Sequence, residues 1–257
     1  MKEFLGIGGY NRVAEGAYSW QHLTFVGSLI AVMIFLGVYL GLRNRHKDLP
    51  QKNKVLIWAA ILIDAFEIFK IVVLCIRSDV WYDAILHNLP LFLCSIQLIT
   101  IPLAAFSKGN LRESALDFVS IFGLLGAILG TVGAAQNYGS YPVLSMDNVV
   151  SGITHCISGF AALYIMTARM ASMKKEDIPI TFGILLAFCV MAYVANVVVD
   201  YNYMFLVAGD GTPYDILFNL VGGHKVIYPA AVVALFLVYI SAFYGIWFLI
   251  QKKKVKI

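Results

Sequence analysis

The chain has 257 residues, 60% of them hydrophobic and only 13% charged, with a formal net charge of +4 at pH 7. Soluble domains run at about 45–50% apolar and about 25% charged residues, so this composition excludes an ordinary water-soluble globule and points to an integral membrane protein. The small positive charge is no nucleic-acid footprint. The cysteines (Cys75, Cys94, Cys156 and Cys189) all sit inside apolar runs, which predicts free thiols rather than a disulfide framework.

The first stretch, MKEFLGIGGYNRVAEGAYSW, lacks the compact apolar core of a signal peptide and is expected to lie along the membrane surface. A bilayer core needs about 20 apolar residues of helix. Segments of that kind follow at 22–42, 55–76, 85–106, 115–135, 149–170, 179–200 and 226–250. Each span must satisfy its own backbone hydrogen bonds, because lipid offers none. The expected fold is therefore all-α: one polytopic domain over 1–257 with seven transmembrane helices. Its longest connection, 201–225, reads YNYMFLVAGDGTPYDILFNLVGGHK. No internal repeat is visible, which weighs against an inverted-repeat transporter.

Orientation follows from lysine and arginine. One side carries Arg43, Arg45, Lys47, Lys52 and Lys54, then Lys108 and Arg112, then Arg169, Lys174 and Lys175, and finally Lys252, Lys253, Lys254 and Lys256. The other side has only Lys2, Arg12, Arg77 and Lys225. This predicts a multi-pass protein of the cell membrane, N-terminus out and C-terminus in, with the KKKVK tail anchored at anionic headgroups.

Polar residues inside the spans are costly in lipid and persist when they pair or line a wet cavity. Span three contains LHNLPLFLCSIQLITIPL. Treated as one continuous helix, it aligns His87, Pro90, Cys94 and Gln97 on one face. Span two adds Asp64, Glu67 and Lys70; span five adds Ser151, His155 and Ser158; span six adds Tyr193, Asn196 and Asp200. At 1.5 Å per residue, Cys94 and Glu67 fall about 13 Å, His155 about 9 Å and Asn196 about 6 Å below the outer boundary. Similar depths on these helices predict one outward-facing intramembrane polar cavity.

Cys94 with His155 suits a nucleophile and its base, since a thiol needs a proton acceptor to react near neutral pH. Equally, Cys94 fits a small packing residue and His155 an interhelical contact. Glu67 and Lys70 suit either headgroup binding or a structural ion pair. Asp64 could fix the imidazole tautomer or belong only to that pair. Cys75, Cys156 and Cys189 read as packing residues, His87 as an interfacial one. In span four, Gly126 and Gly130, flanked by Gly123 and Gly133, read as helix packing. No Cys/His grouping has zinc spacing, and no phosphate-binding or dinucleotide fingerprint occurs, so neither metal nor cofactor is expected.

LPLFLCSIQL in span three, SGITHCISGFAALYI in span five and ANVVVDYNYMFL after span six resemble the YwaF-type family of bacterial seven-span proteins. The shared features are the Leu89–Cys94 run, His155, and Asn196 followed by Asn202–Tyr203, in order over most of the chain. Phe92, Ser95 and the GGHKVIYP entry to span seven depart from the family pattern. Vertebrate relatives of that family are regarded as membrane acyltransferases of ether phospholipids. The resemblance implies two-step acyl transfer, with Cys94 as acyl carrier and His155 as base. Asn196 or Asn202 would stabilise the oxyanion, and the partners would be membrane lipids, a phospholipid acyl donor and an acceptor. Asp64, Glu67, Lys70, Gln97, Asn196, Asn202 and Tyr203 would contact substrate. The expected function is thus a thiol-dependent lipid acyltransferase or acyl hydrolase. The alternatives are a small-solute transporter or solute-binding protein using the span-two charges, and a non-catalytic membrane partner protein.

Overall fold

The computed structural model describes residues 1–254, and among these every regular element is helical. In chain order they are α1 (Lys2–Leu5), α2 (Trp20–Asn44), α3 (Leu49–Arg77), α4 (Trp81–Leu86), α5 (Gln97–Phe106), α6 (Gly109–Leu129), α7 (Ala135–Ser140), α8 (Met146–Thr167), α9 (Ile178–Val199), a 3-10 turn at Tyr203–Phe205, α10 (Tyr214–Leu220) and α11 (Ile227–Lys254). The tail anchor expected at Lys253, Lys254 and Lys256 rests on side chains outside those described.

Among the described residues four helices are long and apolar enough to cross a membrane: α2, α8, α9 and residues Ile227–Lys252 of α11. The remaining long helices, α3 and α6, carry Asp64, Glu67 and Lys70, and Arg112, Glu113 and Asp117, respectively. Helix starts follow local chemistry. The Ser19 hydroxyl caps α2 by accepting from His22 N at 3.2 Å, and Ser145 caps α8 by accepting from Asn148 N at 3.3 Å. Pro50 and Pro179 stand in the first turns of α3 and α9, where a missing N–H costs nothing.

Span three is not a continuous helix. Helix α4 ends at Leu86, His87–Ile96 is irregular, and α5 begins only at Gln97. Pro90 lacks a donor and disfavours helical backbone in the residue before it, so the chain unwinds there. The helical-face alignment of His87, Pro90 and Cys94 is therefore wrong, and a depth counted in helical rise does not apply to Cys94. Span four also stops early, at Leu129 rather than 135, where Gly130 to Ala134 turn into α7.

Helix α8 is the centre of the bundle, packed chiefly on α6 and α2 and also on α3. Helix α6 is buried along most of its length, from Arg112 to Ala127. One apolar cluster joins α6, α9, α11 and the loop after α9; a second joins α3, α5, α6 and α8. Lipid tails are as apolar as these side chains, so close packing and hydrogen bonds hold the helices together, not water exclusion.

At the end where α6 and α9 begin, a buried polar network ties the loop before α9 to the bundle. Asp117, fully buried, accepts from Met173 N at 3.1 Å and from the Tyr244 hydroxyl at 2.9 Å. Thr181 donates to the Asp177 carbonyl at 2.9 Å, Ser114 donates to the same carbonyl at 3.2 Å, and Ser172 donates to the Asp177 carboxylate at 2.5 Å.

At the opposite end the N-terminal arm docks on the start of α8. The Tyr10 hydroxyl donates to Asp147 at 2.5 Å, and Arg77 from α3 donates to the same carboxylate oxygen at 2.7 Å. Burial, followed by the Asp147 carboxylate, pushes the Tyr10 hydroxyl up to about 12. Glu15 accepts from Val143 N at 2.7 Å and pairs with Arg12. Burial raises the Glu15 carboxyl, but the Val143 amide and Arg12 outweigh it and hold the group below its ordinary value.

Candidate functional site

The unwound segment is the unusual feature of the fold, because its backbone groups have no helical ladder to satisfy them and must find partners elsewhere. It is held from the loop after α9. The Tyr203 hydroxyl accepts from Leu89 N at 3.2 Å and donates to the Leu86 carbonyl. Tyr203 is in turn fixed by Asn196, whose Nδ2 donates to the Tyr203 carbonyl at 3.0 Å and whose Oδ1 accepts from Tyr203 N at 2.5 Å. Asn202 braces the same loop: its Nδ2 donates to the Ala208 carbonyl and to Asp210, both at 2.7 Å, and its Oδ1 accepts from Val207 N at 2.8 Å. The amides of Asn196 and Asn202 are thus engaged by their own loop, and Tyr203 by the unwound segment. The structure gives these residues the work of holding that segment.

Within the segment, Phe92 packs against Tyr203 and Phe205, with ring centres 5.2 and 5.8 Å away. Ser95 closes the turn, accepting from Phe92 N at 2.9 Å and donating to the Phe92 carbonyl at 3.1 Å. Cys94 sits in that turn, immediately before α5. His87 lies apart from it and packs on Tyr201 at 4.8 Å.

Cys94 and His155 adjoin each other. The imidazole Nδ1 lies 2.7 Å from the Ser151 carbonyl, one turn back on α8, and therefore carries the proton it donates there. Nε2 is then the ring nitrogen left to exchange a proton, and it lies on the side of Gly130, where a Cβ would stand 2.0 Å from it. The group fixing this tautomer is the Ser151 carbonyl, not Asp64, because a helical residue can reach the carbonyl four positions behind it.

Both groups rest on α6. A Cβ at Gly130 would overlap the His155 ring, and one at Gly126 would stand 3.4 Å from Cα and Cβ of Cys94. The glycines read from sequence as helix packing therefore also make the space in which thiol and imidazole meet. From α3, Lys70 is within electrostatic reach of both. Its ammonium pairs with Glu67 at 2.6 Å, with Asp64 one turn further along beside Glu67.

Gln97, at the first position of α5, is fully buried. Its Oε1 accepts from Thr100 at 3.1 Å, while Nε2 has no partner. Sequence reading missed Tyr214 of α10, which stacks on Phe205 at 5.3 Å beside the unwound segment. Its only sequence signal was a tyrosine in the longest loop. All four cysteines are free; Cys156 and Cys189 are buried in apolar clusters. Among the described residues no group of three or more His, Cys, Asp or Glu is placed to hold a metal ion.

Residues 17–251 match the model of the TMEM164 family, and the chain belongs to that family of membrane proteins. No curated protein and no solved structure matches it.

Proposed function

We propose that this TMEM164-family protein is a lipid acyltransferase that uses Cys94 as nucleophile and His155 as general base. The observation that carries the reading is the His155 ring: Nδ1–H is committed to the Ser151 carbonyl, which leaves Nε2 for proton transfer, and the ring adjoins a thiol in an unwound stretch between two helices. The same arrangement fits the YwaF-type resemblance of the Leu89–Cys94 run and its vertebrate acyltransferase relatives. The protein is a single seven-span domain in the cell membrane, N-terminus out. Its spans are α2, α3, the broken α4–α5 pair, α6, α8, α9 and α11.

In the first step Nε2 takes the thiol proton and the thiolate attacks the ester carbonyl carbon of a phospholipid. The C–S bond forms, the tetrahedral oxyanion collapses, and the ester C–O bond breaks. The leaving alkoxide takes its proton from the imidazolium. In the second step Nε2 accepts the proton of an acceptor lipid hydroxyl, whose oxygen attacks the thioester; the C–S bond breaks and the departing thiolate recovers its proton from the imidazolium. Water in place of that hydroxyl would make the protein an acyl hydrolase. The Lys70 ammonium, with Glu67 and Asp64 behind it, supplies a positive field for the thiolate or a headgroup phosphate. Asn196, Asn202 and Tyr203 contribute by positioning.

The test is labelling of the full-length protein in lipid nanodiscs with a fatty acyl p-nitrophenyl ester, comparing wild type, each Cys→Ser variant and His155→Ala. The expected outcome is an acyl group on Cys94 alone, with a rate about 10²–10⁴-fold lower in His155→Ala. Uniform labelling of the thiols, or labelling independent of His155, would overturn the proposal.

A further inference from the structure

Acyl transfer needs more than a nucleophile and a base, because the carbonyl oxygen becomes an anion in the transition state. Donors already aimed at that oxygen usually supply a large share of the rate. Resemblance assigned the task to Asn196 or Asn202, but both amides are spent on their own loop.

Unspent donors lie elsewhere. In the turn that carries the thiol, the backbone N–H groups of Leu93 and Ser95 have no hydrogen-bond acceptor in the described structure. The Cys94 N–H turns toward its own sulfur. In lipid an unpaired donor is expensive, so two in one turn need an explanation. The turn runs directly into the ten-residue helix α5, whose positive end adds to the same field.

A second, independent observation is Gln97. It is 0% exposed, and its Nε2, with two N–H donors, is without a partner. Helical side chains lean toward the N-terminus of their helix, so the first residue of α5 overhangs the turn that holds Cys94. Leaving a carboxamide donor buried and idle is costly unless a ligand oxygen completes it.

We propose that the Cys94 turn and the Gln97 carboxamide form the oxyanion hole of the site, binding the carbonyl oxygen of an acyl ester and then of the acyl-Cys94 thioester. This rests on the acyl-transfer reading above. The thiolate adds to the carbonyl carbon, and the carbonyl π pair moves onto the oxygen. That oxygen receives hydrogen bonds from Gln97 Nε2 and the free turn amides until the C–O or C–S bond breaks and the pair returns.

The test separates chemistry at the oxygen from exposure of the thiol. Gln97→Leu and wild type in nanodiscs are compared in two reactions at Cys94. One is acylation by a fatty acyl p-nitrophenyl ester, which passes through an oxyanion; the other is alkylation by iodoacetamide, which does not. Acylation is expected to fall about 10²–10³-fold with alkylation unchanged. A parallel fall in both rates would make Gln97 merely structural and overturn the proposal, as would no fall in either. If wild type forms no acyl-Cys94 at all, the acyl-transfer reading itself fails, and this one with it. Should Gln97→Leu not fold, isotope-edited infrared spectroscopy of wild-type acyl-Cys94 decides. A carbonyl band lower than that of the same thioester in unfolded protein supports the hole, and an unmoved band overturns it.

Discussion

The two ends of the bundle handle buried polar groups in opposite ways. Around Asp117, each oxygen of the carboxylate has a donor, and Thr181, Ser114, Ser172 and Tyr244 fill out the network. Around Cys94, backbone amides and the Gln97 Nε2 are left without protein partners. A saturated network is a lock, since nothing remains to bind; an unsaturated one is stable only if something else completes it. The carboxylate looks more dramatic in a membrane protein, yet the idle donors mark the site.

Four predictions test this contrast, in falling order of effect. Asp117→Ala leaves the Met173 N–H buried without an acceptor, at about 1–3 kcal/mol, and leaves the Tyr244 hydroxyl with Thr181 Oγ1 alone, at about 1 kcal/mol more. Unfolding in detergent should shift accordingly, while the Cys94 acylation rate per folded molecule holds. Loss of acylation without loss of stability would erase the distinction between the two ends. Gly130→Ala should do the reverse. Its Cβ displaces the His155 ring, and a misplacement of about 1 Å can cost about 10²-fold in rate. Stopped-flow acylation measures it, with Gly183→Ala, in open space on α9, as a neutral control.

Tyr203→Phe removes the hydroxyl that spans Leu86 and Leu89. The expected cost is about 1–2 kcal/mol, concentrated in faster hydrogen exchange of residues 87–96. Uniform exchange across the bundle would show that the clamp is not local. The smallest effect concerns the N-terminal arm. Glu15 is held below its ordinary 4.5, so its contribution is present above that pH and is lost as pH falls below it. Tyr10 is raised from 10.0 to about 12, so its contribution is full below pH 10 and lost as pH rises toward 12. Limited proteolysis of residues 1–18 should therefore be slowest between those limits, with cleavage inside the bundle unchanged.

Much of this architecture was legible from sequence. Helices α2, α8, α9 and α11 begin and end within a few residues of their apolar runs, because burial in lipid and helical hydrogen bonding demand the same continuous pattern. The spacing also put Cys94, Glu67, His155 and Asn196 at similar depths; the structure sets Cys94 beside His155, while Asn196 is engaged by the loop after α9. The break in span three was not legible from hydropathy, since an unwound apolar segment and a helical one have the same composition; Pro90 alone signalled it. The work of Asn196 and Tyr203 was hidden for another reason. Tyr203 grips Leu89 across 114 residues of chain, and no local pattern records so distant a contact. Asp117 went unnoticed because, eight residues into α6, it resembled the charged border of a span rather than its interior.

The arm at the start of the chain has a consequence for biogenesis. Tyr10 meets Asp147 across 137 residues, and Glu15 meets Val143 across 128. The ribosome delivers the arm first and its dock much later, so the arm must wait at the membrane face until α8 has been threaded. Its closure is therefore a late event in assembly, and protection of the first eighteen residues would report, on a nascent chain, that the central helix has reached its place.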